Sequence, residues 1–371
     1  MQVNFVEQPP QSPLEFTSEP AMDAGQVQHV AEIFNTPLTG AYNWDYSEQD
    51  NRIKKLYALG KQLNWDAEID IDWSQTPDAI DKPKLTQAEK EAALEKLSQG
   101  FPFAEYQPYL DMDADTRLQL HHHLHSWFIS QFLHGEQGAL LVASQLASCA
   151  PSFNAKLYAA SQTFDEARHV EVFNRFVQRK IGLMYPVNRS LKALLDKILT
   201  DPRWDLKFIG MQIVIEGLAL AAFNVAKMNT HDPVLGDMLH LVIRDEARHV
   251  TFGVNYLEDH VKSLSQEEIE ERAEFALEAC IVMRERMVPV DVHAHFGWDT
   301  RETRQISLGG EARQEFRNLV FARIIPNLKR IGLLTESIRP RFDELGLLAF
   351  ETLPDDGAID WAELSKPLYE S

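Results

Sequence analysis

Apolar residues recur at intervals of three and four along most of this chain, and the breaks between periodic stretches are short. Residues 1 to about 45 are the exception; rich in Pro, Gln and Glu and without sustained period, they read as an arm or loop. "NRIKKLYALGKQLNWDAEIDIDWSQ" offers one short helix and then an irregular segment carrying Trp65 and Trp73. "LTQAEKEAALEKLSQ" reads as a helix from its period and its Ala, Glu, Leu and Lys content. From about Asp115 the helical period runs further. One helix is expected to reach Cys149, where Pro151 stops it; a second runs from near Ser152 to Ile181, with Gly182 past its end and Pro186 beyond. A short helix follows around Ser190 to Leu199. In "TDPRW", Asp201 and Pro202 stand as N-cap and first residue of a helix lasting to about Met228. "HDPVLG" repeats that signal with Asp232 and Pro233 and opens a helix to about Lys262. Ser265 and Glu268 have the spacing of a capping box for a helix ending before Pro289.

Four of these helices span roughly 27 to 35 residues, or about 40 to 50 Å at 1.5 Å per residue. Helices so long, separated by short breaks, indicate a bundle. Residues 290 to 310 read as loop; two further helical stretches, interrupted by Pro326 and Pro340, precede a polar tail. Nothing reads as a sheet. The expectation is an all-α chain with three parts packed as one body: an arm and covering helices over residues 1–114, a four-helix core over 115–262, and accessory helices and tail over 263–371.

Composition narrows the partners. Lys plus Arg total 36 against 56 Asp plus Glu, a net charge of -20, which argues against a general nucleic-acid or anionic-membrane binder. The first thirty residues carry neither the basic nor the apolar region of a secretory signal, and no apolar run is expected to span a membrane. Cys149 and Cys280 are too few for a disulfide framework or a thiolate metal cluster. A cytoplasmic protein with no nucleic-acid or membrane partner is expected.

The string DEARHV occurs twice, at Asp165–Val170 and Asp245–Val250, 80 residues apart. Glu and His three apart on a helix share a face, so Glu166 with His169 and Glu246 with His249 can each address one centre. These are the only two of the 13 histidines with Glu three residues upstream. Glu136 precedes Glu166 by 30 residues and Glu216 precedes Glu246 by the same 30. Both single glutamates stand in apolar runs, "QGALLVA" and "FIGMQIVIEGLALAAF", where a carboxylate is costly unless paired or metal-bound. Four carboxylates and two neutral imidazoles balance two divalent cations, and oxygen and nitrogen donors without thiolate suit iron or manganese better than structural zinc.

With that ligand set the sequence resembles the ferritin-like di-iron carboxylate oxygenases. "DEARH" is similar to the D-E-x-R-H motif of multicomponent monooxygenase hydroxylases, and the length and helical plan are similar to the p-aminobenzoate N-oxygenases and the soluble acyl-carrier-protein desaturases. The resemblance covers about residues 115 to 262. It implies a ferritin-like four-helix bundle with additional N- and C-terminal helices, and a metal centre of Glu136, Glu166, His169, Glu216, Glu246 and His249 with Glu166 and Glu246 bridging. Asp165 and Asp245 then serve the histidine of the opposite half, and Arg168 and Arg248 neutralise those aspartates. Also implied are two iron ions, with a manganese–iron pair as the variant, O2, a small organic substrate, and an external electron donor, since no flavin, nicotinamide or iron–sulfur motif is visible. Bundles of this class often form homodimers.

The resemblance has departures. Phe173 occupies the position of the tyrosine of radical-generating ribonucleotide reductase subunits. Leu220 stands where the hydroxylases carry threonine, and Val242 where the p-aminobenzoate N-oxygenases carry an additional histidine ligand; both point away from those two groups. An acidic carrier protein is a poor match for this net charge. One turn from the ligands, Phe132, Gln162, Phe173, Ile213, Leu220 and Phe223 are expected to line a largely apolar substrate pocket, with Gln162 its polar member. Gly135, Gly138 and Gly217 either leave room there or let helices pack closely. The reaction expected is O2-dependent C–H hydroxylation, N-oxygenation or desaturation; a ferroxidase of storage type and a non-catalytic helical scaffold are the alternatives. "HHHLH" at His121–His125 and the H-x-H of His293 and His295 are read as structural, and Trp65 and Trp73 as bundle cover or, less readily, an electron path.

Overall fold

The computed structural model describes residues 22–23, 40–41, 46, 50–82, 84–309 and 321–359. The arm expected over residues 1 to about 45 and the polar tail therefore lie mostly outside the described residues.

Covering helices come first: α1 (Asn51–Gln62), capped by the Asp50 carboxylate, α2 (Gln87–Ser98), which opens on a Thr86/Glu89 capping box, and the single turn α3 (Gln107–Leu110). The core is built from two helical hairpins. In the first, α4 (Ala114–Cys149) is followed by α5 (Phe153–Phe176), whose Ser152 N-cap accepts from the Ala155 N–H. A wide turn at Val177–Ile181 carries α5 on to Gly182, whose φ of 75° ends it in the left-handed conformation. A connecting helix α6 (Arg189–Thr200) leads to the second hairpin, α7 (Trp204–Asn229) and α8 (Pro233–Val261). Then come α9 (Gln266–Glu285), with its Ser265/Glu268 capping box, α10 (Val290–His295), α11 (Thr300–Gly309), α12 (Ile324–Ile331) and α13 (Arg339–Glu344).

Several boundaries differ from expectation. Asp201 is the C-cap of α6, and its carboxylate accepts from the Arg203 N–H and guanidinium; α7 starts three residues later, at Trp204, without a side-chain cap. Residues 290–309, expected as loop, are largely helical, because His293 and Trp298 pack with Phe103 in a small aromatic cluster that covers the end of α4. Pro326 is the third residue of α12 and Pro340 the second of α13, positions whose missing N–H a helix start does not use. One strand pairing occurs among the described residues, β1 (Met22–Asp23) against β2 (Leu183–Met184), antiparallel. α7 is also long and apolar enough to cross a membrane by length and composition, contrary to the reading above; 78% of its most apolar window is buried inside the bundle.

α7 is not uniform. Its segment Ile209–Ile215 is wound as a π-helix, one residue wider per turn, and ends at Glu216. There α8 approaches closely through Gly253: a Cβ at that position would lie 2.5 Å from Cβ of Gln212.

Candidate metal centre

Each of the four core helices delivers its carboxylate to one level of the bundle. α4 supplies Glu136, α5 Glu166 and His169, α7 Glu216, and α8 Glu246 and His249, all buried. Their donor atoms form two groups, each within 4.8 Å: Glu136, Glu166, His169 and Glu246 in one, Glu166, Glu216, Glu246 and His249 in the other. Glu166 and Glu246 belong to both; the remaining four divide two and two.

The imidazoles are oriented alike. Nδ1 of His169 lies 3.1 Å from Glu136 and Glu246 and 3.3 Å from Glu166. Nδ1 of His249 lies 3.0 Å from Glu166 and 3.5 Å from Glu246. Each Nε2 points outward to the aspartate of the other repeat, His169 to Asp245 and His249 to Asp165, both at 3.2 Å. An Nε2–H donated to a carboxylate leaves the Nδ1 lone pair facing inward, the tautomer a metal needs. The Arg168 guanidinium donates to Asp165 at 2.5 Å and Asp245 at 3.1 Å, and that of Arg248 to Asp165 at 2.9 Å and Asp245 at 2.7 Å. Trp65 adds an indole N–H to Asp245 at 2.7 Å, so the segment read as bundle cover also reaches this network.

The donor set suits two cations. One oxygen each of Glu166, Glu216 and Glu246, and Nδ1 of His249, have no hydrogen-bond partner, and groups so buried are rarely left unsatisfied. Burial, followed by the nearby Glu246 charge, pushes the carboxyls of Glu136 and Glu216 well above the usual range. Burial acts on Glu166 in the same sense, but the two imidazoles outweigh it and hold its carboxyl below that range. Carboxylates crowded in this way repel unless a positive charge stands between them.

A cavity of about 340 Å³ opens on this cluster. Glu136, Glu216 and Glu246 form its floor, and its walls are mainly apolar, with Phe132, Ala139, Ile215 and Phe223 among them. Two of the six residues expected to line it, Phe132 and Phe223, do so. Phe173 lies behind them, its ring centroid 6.0 Å from Phe132 and 5.7 Å from Phe223. The cavity-facing stripe of α7 runs through Ile215, Leu218, Ala219, Ala222, Phe223 and Ala226, so Ile213 and Leu220 point elsewhere; Ile213 packs beside Gly253. Gln162 is a carboxylate holder: its amide donates to Glu216 at 2.9 Å and Glu166 at 3.4 Å. The glycines divide. Gly135 lines the cavity with nothing within 4 Å of a Cβ, whereas Gly138 is packed tightly against Leu195 and Gly217 loosely against Ile324.

Sequence reasoning missed Arg286, which enters the cavity wall from the end of α9 with Met283 and Met287. It lies outside the repeat that revealed the ligands, and nothing local marks it. The "HHHLH" histidines serve the far end of α4: His121 meets the Tyr109 hydroxyl, His123 the Tyr185 hydroxyl while stacking on His295, and His125 lines the cavity.

The family model of the p-aminobenzoate N-oxygenase AurF matches residues 46–332. No curated protein matches the chain. Among solved structures, the chain is similar to an R2-like ligand-binding oxidase with an aerobically reconstituted Mn/Fe cofactor, at 16% identity and a TM-score of 0.45, covering 79% of this chain and 94% of that one. A point variant of an R2-like ligand-binding oxidase, also with a reconstituted Mn/Fe cofactor, gives 16% identity and 0.43 over 78% and 94%.

Proposed function

The chain belongs to the p-aminobenzoate N-oxygenase family, and on that premise we propose that it is an O2-dependent di-iron enzyme that oxygenates the nitrogen of a small organic amine held in the cavity above Glu136, Glu216 and Glu246. The departure at Val242 does not remove it from the family. It bears on how many donors surround the metals, since Val242 brings no ligand.

The observation that carries the reading is the pair of overlapping donor groups sharing Glu166 and Glu246. Glu136 and His169 would hold one metal, Glu216 and His249 the other, and the shared glutamates would lie between them. Bound there, the two metals supply the redox chemistry that activates O2. The protein does the rest. Asp245 and Asp165 fix the tautomer and tilt of the two histidines. Gln162 restrains Glu216 and Glu166. The apolar wall of Phe132, Ile215 and Phe223 keeps water from the reacting centre and presses an organic substrate towards it.

Charges balance. Four glutamates offset two divalent cations, and Asp165 with Asp245 offset Arg168 with Arg248. Adding one oxygen atom of O2 to an amine and reducing the other to water takes two electrons and two protons, so a separate electron-donor protein is part of this reading.

Anaerobic loading with ferrous iron followed by O2 tests it. Two irons per chain, with 18O from 18O2 entering an arylamine probe such as 4-aminobenzoate when an electron donor is supplied, is the expected result. Many irons per chain would instead indicate storage, and no bound iron would leave a helical scaffold.

A further inference from the structure

Two thioethers near the end of α9, those of Met283 and Met287, form part of the cavity wall above Glu136, Glu216 and Glu246. Methionine is a common filler of irregular gaps in a core. Here a polar contact also holds the Met283 sulfur: Nη1 of Arg286 donates to it at 3.8 Å, while Nη2 donates to the Gln131 carbonyl at 3.5 Å. Gln131 precedes Glu136 on α4 by five residues, about 7.5 Å along the helix axis, and a helical side chain at 136 leans back towards it. The thioether is thus pinned on the side of the chamber that holds the metal-binding glutamates.

Among the described lining residues, the side chains that accept an oxygen atom most readily are these two thioethers and the rings of Trp127 and His125. Trp127 and His125 precede Glu136 by nine and eleven residues, about 14 and 17 Å along the axis, and so stand towards the far end of the cavity. Most of the remaining wall offers only aliphatic and phenyl C–H bonds. Met283 is 1% exposed, which shields it from oxidants in bulk water; Met228, outside the cavity lining, is 74% exposed.

A sulfoxide formed at Met283 would find its partner in place. The thioether sulfur is a weak acceptor, whereas a sulfoxide oxygen is polar and accepts strongly from a guanidinium. No carboxylate among the described residues holds Arg286 in an ion pair.

We propose that Met283, with Met287 beside it, is an internal oxygen acceptor and a site of self-modification, oxidised when O2 reacts at the reduced metal centre while the cavity holds no substrate. The O–O bond breaks and an S–O bond forms; the second oxygen atom leaves as water with two protons from solvent. The sulfur gives up two electrons and the two ferrous ions the other two, so one such event needs no external reductant. The oxidant is then spent on the wall of α9 and not on His169 or His249. The inference rests on the cluster holding two irons that react with O2, and it is independent of which substrate the cavity takes.

The test is a single exposure of the ferrous-loaded protein to 18O2, without substrate or electron donor, followed by trypsin digestion and mass spectrometry. Met283 and Met287 fall in separate peptides, Ala273–Arg284 and Met287–Arg301. The expected result is one 18O atom on the sulfur of Met283 or Met287. Its level should exceed that on Met228 at least about tenfold, a small part of the advantage of a group held beside a reacting centre. Iron-free protein treated identically should carry none. Label that follows exposure, with Met228 oxidised first, or equal label in the iron-free protein, would overturn the proposal. Iron content and O2 uptake are measured on the same samples. Two irons per chain and O2 uptake with both sulfurs unlabelled would sink the acceptor and leave the functional reading standing; no bound iron, or no O2 uptake, would sink both.

Discussion

Asp245 Oδ2 lies 3.2 Å from Nε2 of His169. The two belong to different copies of the repeated hexapeptide, 76 positions apart, and Asp165 stands at the same distance from His249 of the other copy. The repeat is thus interlocked: each copy supplies a glutamate and a histidine inward and an aspartate that orients its counterpart's histidine. Asp245→Asn should lower metal affinity about 10- to 100-fold, the usual effect of losing a ligand's outer carboxylate. It should also lower Tm, because Arg168 and Arg248 lose a buried counter-charge. Iron content against a graded chelator and thermal melts of the same samples measure both. Unchanged iron retention would show that the aspartate only balances the arginines.

Shared and unshared glutamates should behave differently. Glu166 and Glu246 stand in both donor groups, so Glu166→Ala or Glu246→Ala is expected to reduce bound iron from two per chain to near none. Glu136→Ala or Glu216→Ala removes a donor from one group and should leave close to one. Chelating the iron from the unaltered protein should lower its Tm, and reloading should restore it, because a ligand bound by the folded state alone stabilises that state. Elemental analysis of the four variants decides; two irons retained by Glu166→Ala would refute the sharing.

All six inward donors were legible in the sequence because an 80-residue offset relates them in pairs and a helix places Glu and His on one face. The long helices were legible for a similar reason: their caps, Ser152, Asp232 and Ser265, are local signals with local causes. What failed was non-local. Asp201 has the chemistry of an N-cap, yet its carboxylate is taken by Arg203 and α7 begins beyond it. The π-wound segment before Glu216 departs from the 3.6-residue period on which the pocket assignment depended, and Ile213 and Leu220 do not reach the cavity. Gln162 was expected as the polar member of the pocket lining; only the three-dimensional arrangement shows that it lies off the cavity with its amide committed to carboxylates. Arg286 belongs to no repeat, and only the fold brings the end of α9 to the cavity.

Two glycines should respond in opposite ways to the same added methyl group. At Gly135 nothing lies within 4 Å of a Cβ, and alanine improves helix propensity by about 1 kcal/mol. Gly135→Ala should therefore keep or raise Tm while weakening the binding of bulkier arylamines, since the methyl enters the cavity. At Gly253 a Cβ would meet Cβ of Gln212 at 2.5 Å, an atom fixed to the backbone of the π-wound segment. Gly253→Ala should cost about 1–3 kcal/mol through overpacking and lower iron retention as the helix carrying Glu216 shifts. Melting curves and competition binding on the pair test this; a Tm loss at Gly135 matching that at Gly253 would contradict the assignment of open space.

Glu278 on α9 supplies a stability effect remote from the metals. Burial, and then the neighbouring Glu274, push its carboxyl up to about 7, against the weaker pull of Arg341 and Lys197. One of its oxygens is buried without a hydrogen-bond partner. A carboxyl with a raised folded-state pKa holds its proton more firmly when folded than when unfolded. Its contribution is therefore favourable at pH below the unfolded value, near 4.5, and is lost as pH rises through about 7. Glu278→Gln keeps the shape and removes the ionisation, so its advantage over the unaltered protein should be small at pH 4.5 and reach about 2 kcal/mol at pH 8, the full shift being reduced by solvent screening of a partly exposed group. Urea melts of both proteins at the two pH values measure it, and comparing them at each pH cancels the titration of every other group. An advantage that does not grow between pH 4.5 and 8 would mean that Glu278 ionises freely in the folded protein.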